Sequence, residues 1–518
     1  MNGRKQALPV DKALVLLRIL AFVKFLLPFL IVHPAYELHR DEFLYLAEAR
    51  HLDWGYLEAP PLLSLLAWVS LLSGDHEFWV RLWPAIFGAL TFLLAGKIVL
   101  RLGGKGPALF LLFLAFIFTA FLRLHFLFQP NFLDVFFWTL AAYWVFRYID
   151  RQENKFIYLL GFTAGLGFLS KYSVAIFLLA LAVALALSPQ RKLFAGKHLY
   201  LAALTGLLIF LPNLIWQYLH NFPVLHHMEE LHETQLRHVS PLSFLSEQLL
   251  MTLPVFFIWL TGLCYTFFHT EGKKYIVFGW TFLLVMILLI LFQGKGYYAL
   301  GIYPVLLALG AFRLEQMSQS RRWIRYAGIS FILLAGMPLI PVLLPIWAPP
   351  RLAQYYQDTG LGQTGILQWE DLRDHALPQD FADMLGRKEL LQKTVAALRE
   401  IPAPEQKNTI ILCDNYGQAG ALNYYGYRSG LPQAISVSAS FLLWVPDYRN
   451  IAHIIRIGDG GPEDAGLQGL FAEVTVTDSI TAPMAREFGT KIRWFRSADS
   501  SVTPLLNEAV KKMQQRFR

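Results

Sequence analysis

Apolar runs of roughly the twenty residues that cross a bilayer recur from about residue 13 to 346 and then stop. They predict eleven membrane-spanning helices, near 13–32, 79–100, 107–124, 131–149, 156–170, 172–188, 199–217, 243–268, 276–292, 298–313 and 326–346. Every second connection is basic: Arg4, Lys5 and Lys12; Arg101 and Lys105; Arg151 and Lys155; Arg191, Lys192 and Lys197; Lys273 and Lys274; Arg321, Arg322 and Arg325. Positive charge marks the cytoplasmic face, so the N-terminus is expected inside. The other connections are longer or richer in acid, tyrosine and histidine. The largest, 33–78, carries Glu37, Asp41, Glu42, Glu48, Asp53, Glu58, Asp75 and Glu77 and is expected outside. Within it, 42–52 and 61–72 have helical apolar spacing but are too short to cross, which predicts helices lying flat at the surface and framing a cavity. Pro60-Pro61 separates them, since neither proline donates a backbone hydrogen bond.

After Ala348-Pro349-Pro350 the pattern changes to short β-like runs at 409–413, 451–457, 472–477 and 491–495, with helical patterns at 379–399 and 504–517. The expected architecture is a polytopic α-helical membrane domain over 1–346, including the outer loop 33–78, and a soluble α/β domain over 347–518. An odd number of spans from a cytoplasmic start puts that second domain outside a plasma (inner) membrane.

Composition narrows the function. A chain 55% hydrophobic and only 16% charged is not an ordinary soluble enzyme. Its net charge of +8 sits mostly in short loops between spans, which argues against a nucleic-acid partner. The first apolar run is too long for a secretory signal and is read as an uncleaved helix. Cys264 lies in an apolar run and Cys413 beyond all of them, so no disulfide framework is indicated.

The outer face collects the residues with chemistry. Asp41 and Glu42 follow the first span among aromatic residues, as a general base for an acceptor hydroxyl or as plain helix-start acids. Asp134 lies at the outer end of the fourth span, facing the same cavity or simply meeting a helix dipole. Glu58 stands at the rigid Pro60-Pro61 break, in a positioned site or in a surface turn. Lys295, within Gln293-Gly294-Lys295-Gly296-Tyr297-Tyr298, is a lysine on the non-cytoplasmic side. Its flanking glycines favour binding an anion over snorkelling, although the spacing is not that of a Walker loop. Arg81 and the Lys171-Tyr172 pair are weaker candidates of the same kind or interface anchors. His220, His226, His227, His232 and His238 with Glu229, Glu230 and Glu233 lack metal-ligand spacing, so an amphipathic loop is expected there, with a divalent metal as the weaker alternative. No other cofactor is indicated. Carboxylates, an anion-binding lysine and aromatic residues at the outer mouth of a helical bundle suit removal of a group from a lipid phosphate.

At these residues the chain resembles glycosyltransferase family 39, the protein O-mannosyltransferase and lipid A aminoarabinose-transferase group with a GT-C fold. The motifs are Asp41-Glu42 with Tyr45, Gly55-Tyr56-Leu57-Glu58-Ala59-Pro60-Pro61-Leu62, Arg81-Leu82-Trp83-Pro84, the Asp134 segment, Lys171-Tyr172-Ser173, the stretch 216–220, and Lys295-Gly296-Tyr297-Tyr298 with Tyr303-Pro304. The resemblance implies an inverting hexosyl or pentosyl transfer from a polyprenyl-monophosphate sugar to a lipid, glycan or protein acceptor. It implies Asp41 as base, Glu42 and Asp134 near the acceptor, and Lys295 near the phosphate, with Glu58, Arg81, Lys171, Tyr172, Tyr297 and Tyr298 as further substrate contacts. Ala59 stands where the aminoarabinose branch has a lysine, which argues against a phosphate contact at that turn and against a specific lipid A assignment. In the C-terminal domain, Asp414-Asn415-Tyr416-Gly417-Gln418 and Asn423-Tyr424-Tyr425-Gly426 are read as a packed helix or as a contact for a glycan or acceptor.

Two other classes fit less well. A flippase or transporter of lipid-linked sugars would place polar residues near the midplane, whereas here the acids gather at one outer face. An inactive membrane scaffold would tolerate loss of Asp41.

Overall fold

The computed structural model describes residues 10–74, 76–234 and 236–517. Arg4, Lys5 and Asp75 lie outside the described residues, as does the side chain of His238. The chain divides into two compact units. One holds the residues up to Ile31 with Arg81–Leu214 and Glu229–Leu344; the other holds Val32–Val80, Ile215–Met228 and the chain from Pro345 onward. The outer loop 33–78, grouped with the spans in the sequence reading, therefore packs with the C-terminal residues. Glu37 explains part of this: its carboxylate accepts the Arg387 N–H (2.7 Å) and Lys388 N–H (3.2 Å), capping the Arg387–Arg399 helix.

The first unit is a helical bundle. Among the described residues, eight helices are long and apolar enough to cross a membrane, and a bent pair, Val174–Ala186 with Pro189–Ala195, makes up to nine. Each of the eleven predicted spans has a helical counterpart. Three differ from a plain span. Gly106–Ile117 and Lys155–Phe168 are short, and the bent pair turns by 104° where Pro189 opens a new helix behind a Ser188 cap.

In the second unit, the predicted surface helices are Arg40–Glu48 and Leu62–Leu72. The α/β part carries a five-stranded sheet of β1 (Thr409–Cys413), β2 (Ala434–Ile435), β3 (His453–Gly458), β4 (Phe471–Ser479) and β5 (Lys491–Ala498), in the order β2-β1-β3-β5-β4. The β1 strand runs parallel to β2 and β3, while β5 runs antiparallel to β3 and β4. All of β3 is buried, Ile454, Ile455 and Ile457 by their apolar side chains and Arg456 through its ion pair with Asp464 (2.9 Å). Ile410, Ile435, Ile454 and Phe495 form a core with Val502 and Val510 of the Val502–Gln514 helix.

Candidate functional site

In the second unit the site begins with a cap. The His39 ring accepts the Asp41 N–H (3.1 Å), while Glu42 Oε2 accepts the His39 N–H (2.8 Å). This reciprocal capping fixes the first turn of the Arg40–Glu48 helix and the direction in which Asp41 leaves it. Glu42 is fully buried, and its carboxylate serves the backbone there.

The Tyr416–Tyr425 helix, N-capped by Asn415, lies close against Arg40–Glu48. Gly420 permits the approach, since a Cβ there would stand 2.7 Å from Phe43 Cβ and 2.9 Å from Phe43 O. The contact carries Tyr416 to Asp41, and its hydroxyl donates to Asp41 Oδ1 (2.7 Å). Arg40 lies over the Tyr416 ring (5.2 Å) with Nε 3.4 Å from the same oxygen. Burial pushes the Asp41 carboxyl up, but His39, Arg40 and the Tyr416 hydroxyl outweigh burial and hold it down at about 2. Asp41 stays 26% exposed. Because its folded value lies below the ordinary one of about 3.9, the stability it contributes is complete above about pH 4 and fades as pH falls towards 2.

Replacing Gly420 by alanine should cost about 1–3 kcal/mol, because the obstacle is partly backbone and cannot rotate away. Thermal unfolding in detergent checks this; an unshifted midpoint would contradict the close packing.

Behind Asp41 sits a second carboxyl pair. Glu48 is inaccessible to solvent and takes the Ser64 hydroxyl, while Glu58 Oε2 accepts from Ser440 Oγ (2.6 Å), which itself accepts the Leu57 N–H (3.0 Å). Tyr45 senses the charges of Asp41, Glu48 and Glu58 together. Burial, then the negative charge of Glu58, pushes the Glu48 carboxyl well above its ordinary value. A raised carboxyl contributes stability fully below its unfolded value, and that contribution is lost as pH rises. Glu48→Gln, already neutral, should therefore unfold at a higher temperature than wild type at pH 8 and at about the same temperature at pH 4.5. Melting curves at the two pH values decide; a variant less stable at pH 8 would reverse the assignment.

Further from Asp41, Arg387 is fully buried and pairs with Glu487 (3.0 Å), which also accepts from Gln418 Nε2 (2.6 Å). This network holds the start of the Tyr416–Tyr425 helix and so the Tyr416 hydroxyl.

The first unit holds the other candidates. Pro130–Arg151 begins with Pro130 and presents Asn131 and Asp134 in its first turns. Lys171 Nζ donates to Asn131 Oδ1 (2.7 Å) and lies over the rings of Tyr298 (4.3 Å) and Tyr297 (5.4 Å). Ser173 Oγ donates to Asp134 Oδ2 (2.8 Å), and Lys171 senses the charges of Asp134 and Lys295. Tyr172 donates to Asn213 Oδ1 (3.0 Å). The Lys295 turn is braced on both sides, for the Gly296 N–H donates to Glu247 Oε2 (3.1 Å) and Gln248 Nε2 donates to the Gly296 carbonyl (2.9 Å). Gly301 lets the Trp138 ring lie on the same segment, at a distance where a Cβ would stand 2.6 Å from Cε3. Lys171, Lys295, Asp134, Tyr297 and Tyr298 thus form one cation-rich, aromatic cluster, whereas Arg81 stands on the Phe126 ring (4.8 Å).

Sequence reasoning singled out Asp41 without Tyr416 or Arg40, and Glu58 without Glu48 or Ser440. The 414–418 stretch was singled out as a packed helix or a ligand contact, but nothing local ties residue 416 to residue 41. The 220–238 segment contains the helix Pro223–Thr234 rather than a loop, and His220 stacks on Trp216 (4.0 Å). Among the described residues, no group of three His, Cys, Asp or Glu side chains comes together to hold a metal.

The family model for dolichyl-phosphate-mannose-protein mannosyltransferase matches residues 58–216. Lipid A galacturonosyltransferase RgtD of Rhizobium johnstonii is 26% identical over 210 residues, covering 37% of this chain and 41% of that protein. The chain therefore spans about two fifths of the length of that curated relative. ArnT from Cupriavidus metallidurans, solved bound to undecaprenyl phosphate, superposes with a TM-score of 0.62 at 14% identity over 94% of this chain and 98% of that one. Its apo state gives 0.60 over 93% and 98%, and the apo oligosaccharyltransferase of Archaeoglobus fulgidus gives 0.50 at 12% identity over 88% and 70%. The chain has the GT-C glycosyltransferase fold, as its motifs imply, and it is a multi-pass membrane protein.

Proposed function

We propose that this chain is an inverting glycosyltransferase that moves a sugar from a polyprenyl-monophosphate donor to an extracytoplasmic acceptor. The observation that carries the reading is Asp41, a partly exposed carboxylate held ionised on a capped helix by Arg40 and Tyr416. In the reaction the acceptor oxygen forms a bond to the anomeric carbon while the bond from that carbon to the phosphate oxygen breaks. The electron pair leaves with the polyprenyl phosphate, and the acceptor proton passes to Asp41. A carboxylate held near 2 is a weak base, so it takes the proton late, once bond formation has made the hydroxyl acidic. The departing phosphate needs cations, and Lys295 and Lys171 with their tyrosine neighbours supply that requirement in the first unit.

Asp134 sets the charge and hydrogen bonding around Lys171, and Glu58 orders the 55–62 turn for the acceptor. A plasma (inner) membrane location with the N-terminus in the cytoplasm and the C-terminal domain outside accords with the alternating basic loops. That ArnT was solved with undecaprenyl phosphate supports a lipid phosphate as the leaving group. The test is stereochemical: with a donor that is turned over, proton NMR of the first-formed glycoside should show the anomeric configuration inverted. Retention would overturn the single back-side displacement.

A further inference from the structure

A cavity lies within the second unit, at the opposite end of the Arg40–Glu48 helix from Asp41. It has a volume of about 400 Å³ and is lined by Arg50, His51, Asn423, Tyr427, Gln433 and Trp444, among others. Its walls are fixed. Asn423 holds both the N–H (2.8 Å) and the carbonyl (2.9 Å) of Ala434, anchoring the loop that carries Gln433, and His51 stacks flat on Trp444 (4.4 Å, 10°). The Trp444 indole also lines a second cavity, of about 210 Å³, with Tyr56, Asp53 and His220. One aromatic ring is thus the common wall of two adjoining spaces.

Arg50 is exposed, lies over the Tyr427 ring (4.3 Å), and forms no ion pair among the described residues. A guanidinium over an aromatic face still has N–H donors to offer an anion. The Trp444 and Tyr427 faces suit the C–H face of a pyranose, and the amides of Asn423 and Gln433 suit hydroxyls. An acyl chain would make no use of the Arg50 guanidinium or the Gln433 amide, so this lining favours a polar, anionic occupant over lipid. Beyond Trp444, Asp53 makes the smaller space fit neutral hydroxylated units instead of a second anion.

We propose that these adjoining cavities bind a short acidic saccharide, with its carboxylate or phosphate on Arg50 and its neighbouring unit against Trp444. The proposal stands apart from the transfer reaction, since neither Arg50 nor Tyr427 belongs to the Asp41 or Lys295 clusters.

Isothermal titration of the full chain in detergent micelles with trigalacturonic acid, glucose 1-phosphate and maltotriose tests it without any turnover. At least one of the two anionic probes should bind, and which one does assigns the anion as carboxylate or phosphate. Arg50→Gln should weaken that binding at least about tenfold, Arg50→Lys should recover part of it, and Tyr427→Ala should weaken it about fivefold. Both side chains are exposed, so the variants should match wild type in circular dichroism and melting. Silence from both anionic probes, equal binding of maltotriose, or full affinity in Arg50→Gln would overturn the proposal. Loss of transfer in Asp41→Asn with unaltered saccharide binding would show the two readings to be separate.

Discussion

Asp41→Asn lowers glycosyl transfer by at least about two decades while the protein stays folded. The amide is nearly isosteric with the carboxylate and can still accept the Tyr416 hydroxyl, so the pairing of the Arg40–Glu48 and Tyr416–Tyr425 helices survives. What disappears is the negative oxygen that receives the acceptor proton. Because Asp41 stays ionised down to about pH 2, wild-type activity should show no acid limb from this group in the ordinary assay range, and the variant should be depressed uniformly across it. Initial rates from pH 5 to 9 with matched melting curves check both parts. Turnover equal to wild type would remove Asp41 from the proton transfer.

Lys295→Ala has the second large effect, expected as donor affinity weakened by about tenfold or more, the equivalent of one lost charge-assisted contact of roughly 1.5–3 kcal/mol. The turn that carries Lys295 is held by Glu247 and Gln248 through the Gly296 backbone, so removing the side chain leaves the segment in place. Lys171→Ala differs in kind. It strips a cation from beside buried Asp134, so it should destabilise the fold as well as weaken the donor. Binding of a polyprenyl phosphate to both variants, read with their unfolding midpoints, separates the two. Donor affinity unchanged in Lys295→Ala would count against phosphate neutralisation by this residue.

The parts of the molecule governed by hydropathy were legible in the sequence. Each predicted span has its helix, and the predicted runs at 409–413, 451–457, 472–477 and 491–495 are strands β1, β3, β4 and β5. Interruptions were not legible where tertiary contacts set them. The run at 107–124 reads as continuous, yet the helix ends at Ile117, Thr119 turns its hydroxyl back to the Ala115 carbonyl (2.6 Å), and the Ala120 N–H donates to Met251 (3.1 Å). The two-residue strand β2 is too short to leave a pattern.

The candidate site divides in the same way. Acids and lysines announced themselves by appearing at an apolar face, but their partners did not. Tyr416 reaches Asp41 across 375 positions, through a helix contact that depends on a glycine. Glu48 reads as one acid among several in a solvated loop, whereas folding buries it near the charge of Glu58, and both effects push its carboxyl upward.

The most direct test of the transferase reading is chemical. Purified protein in lipid nanodiscs is incubated with a panel of polyprenyl-phosphate sugars and varied acceptors, and free polyprenyl phosphate is quantified. Release from at least one donor, coupled to a glycosylated acceptor, is the predicted result. A folded protein that releases polyprenyl phosphate from none of them would contradict it.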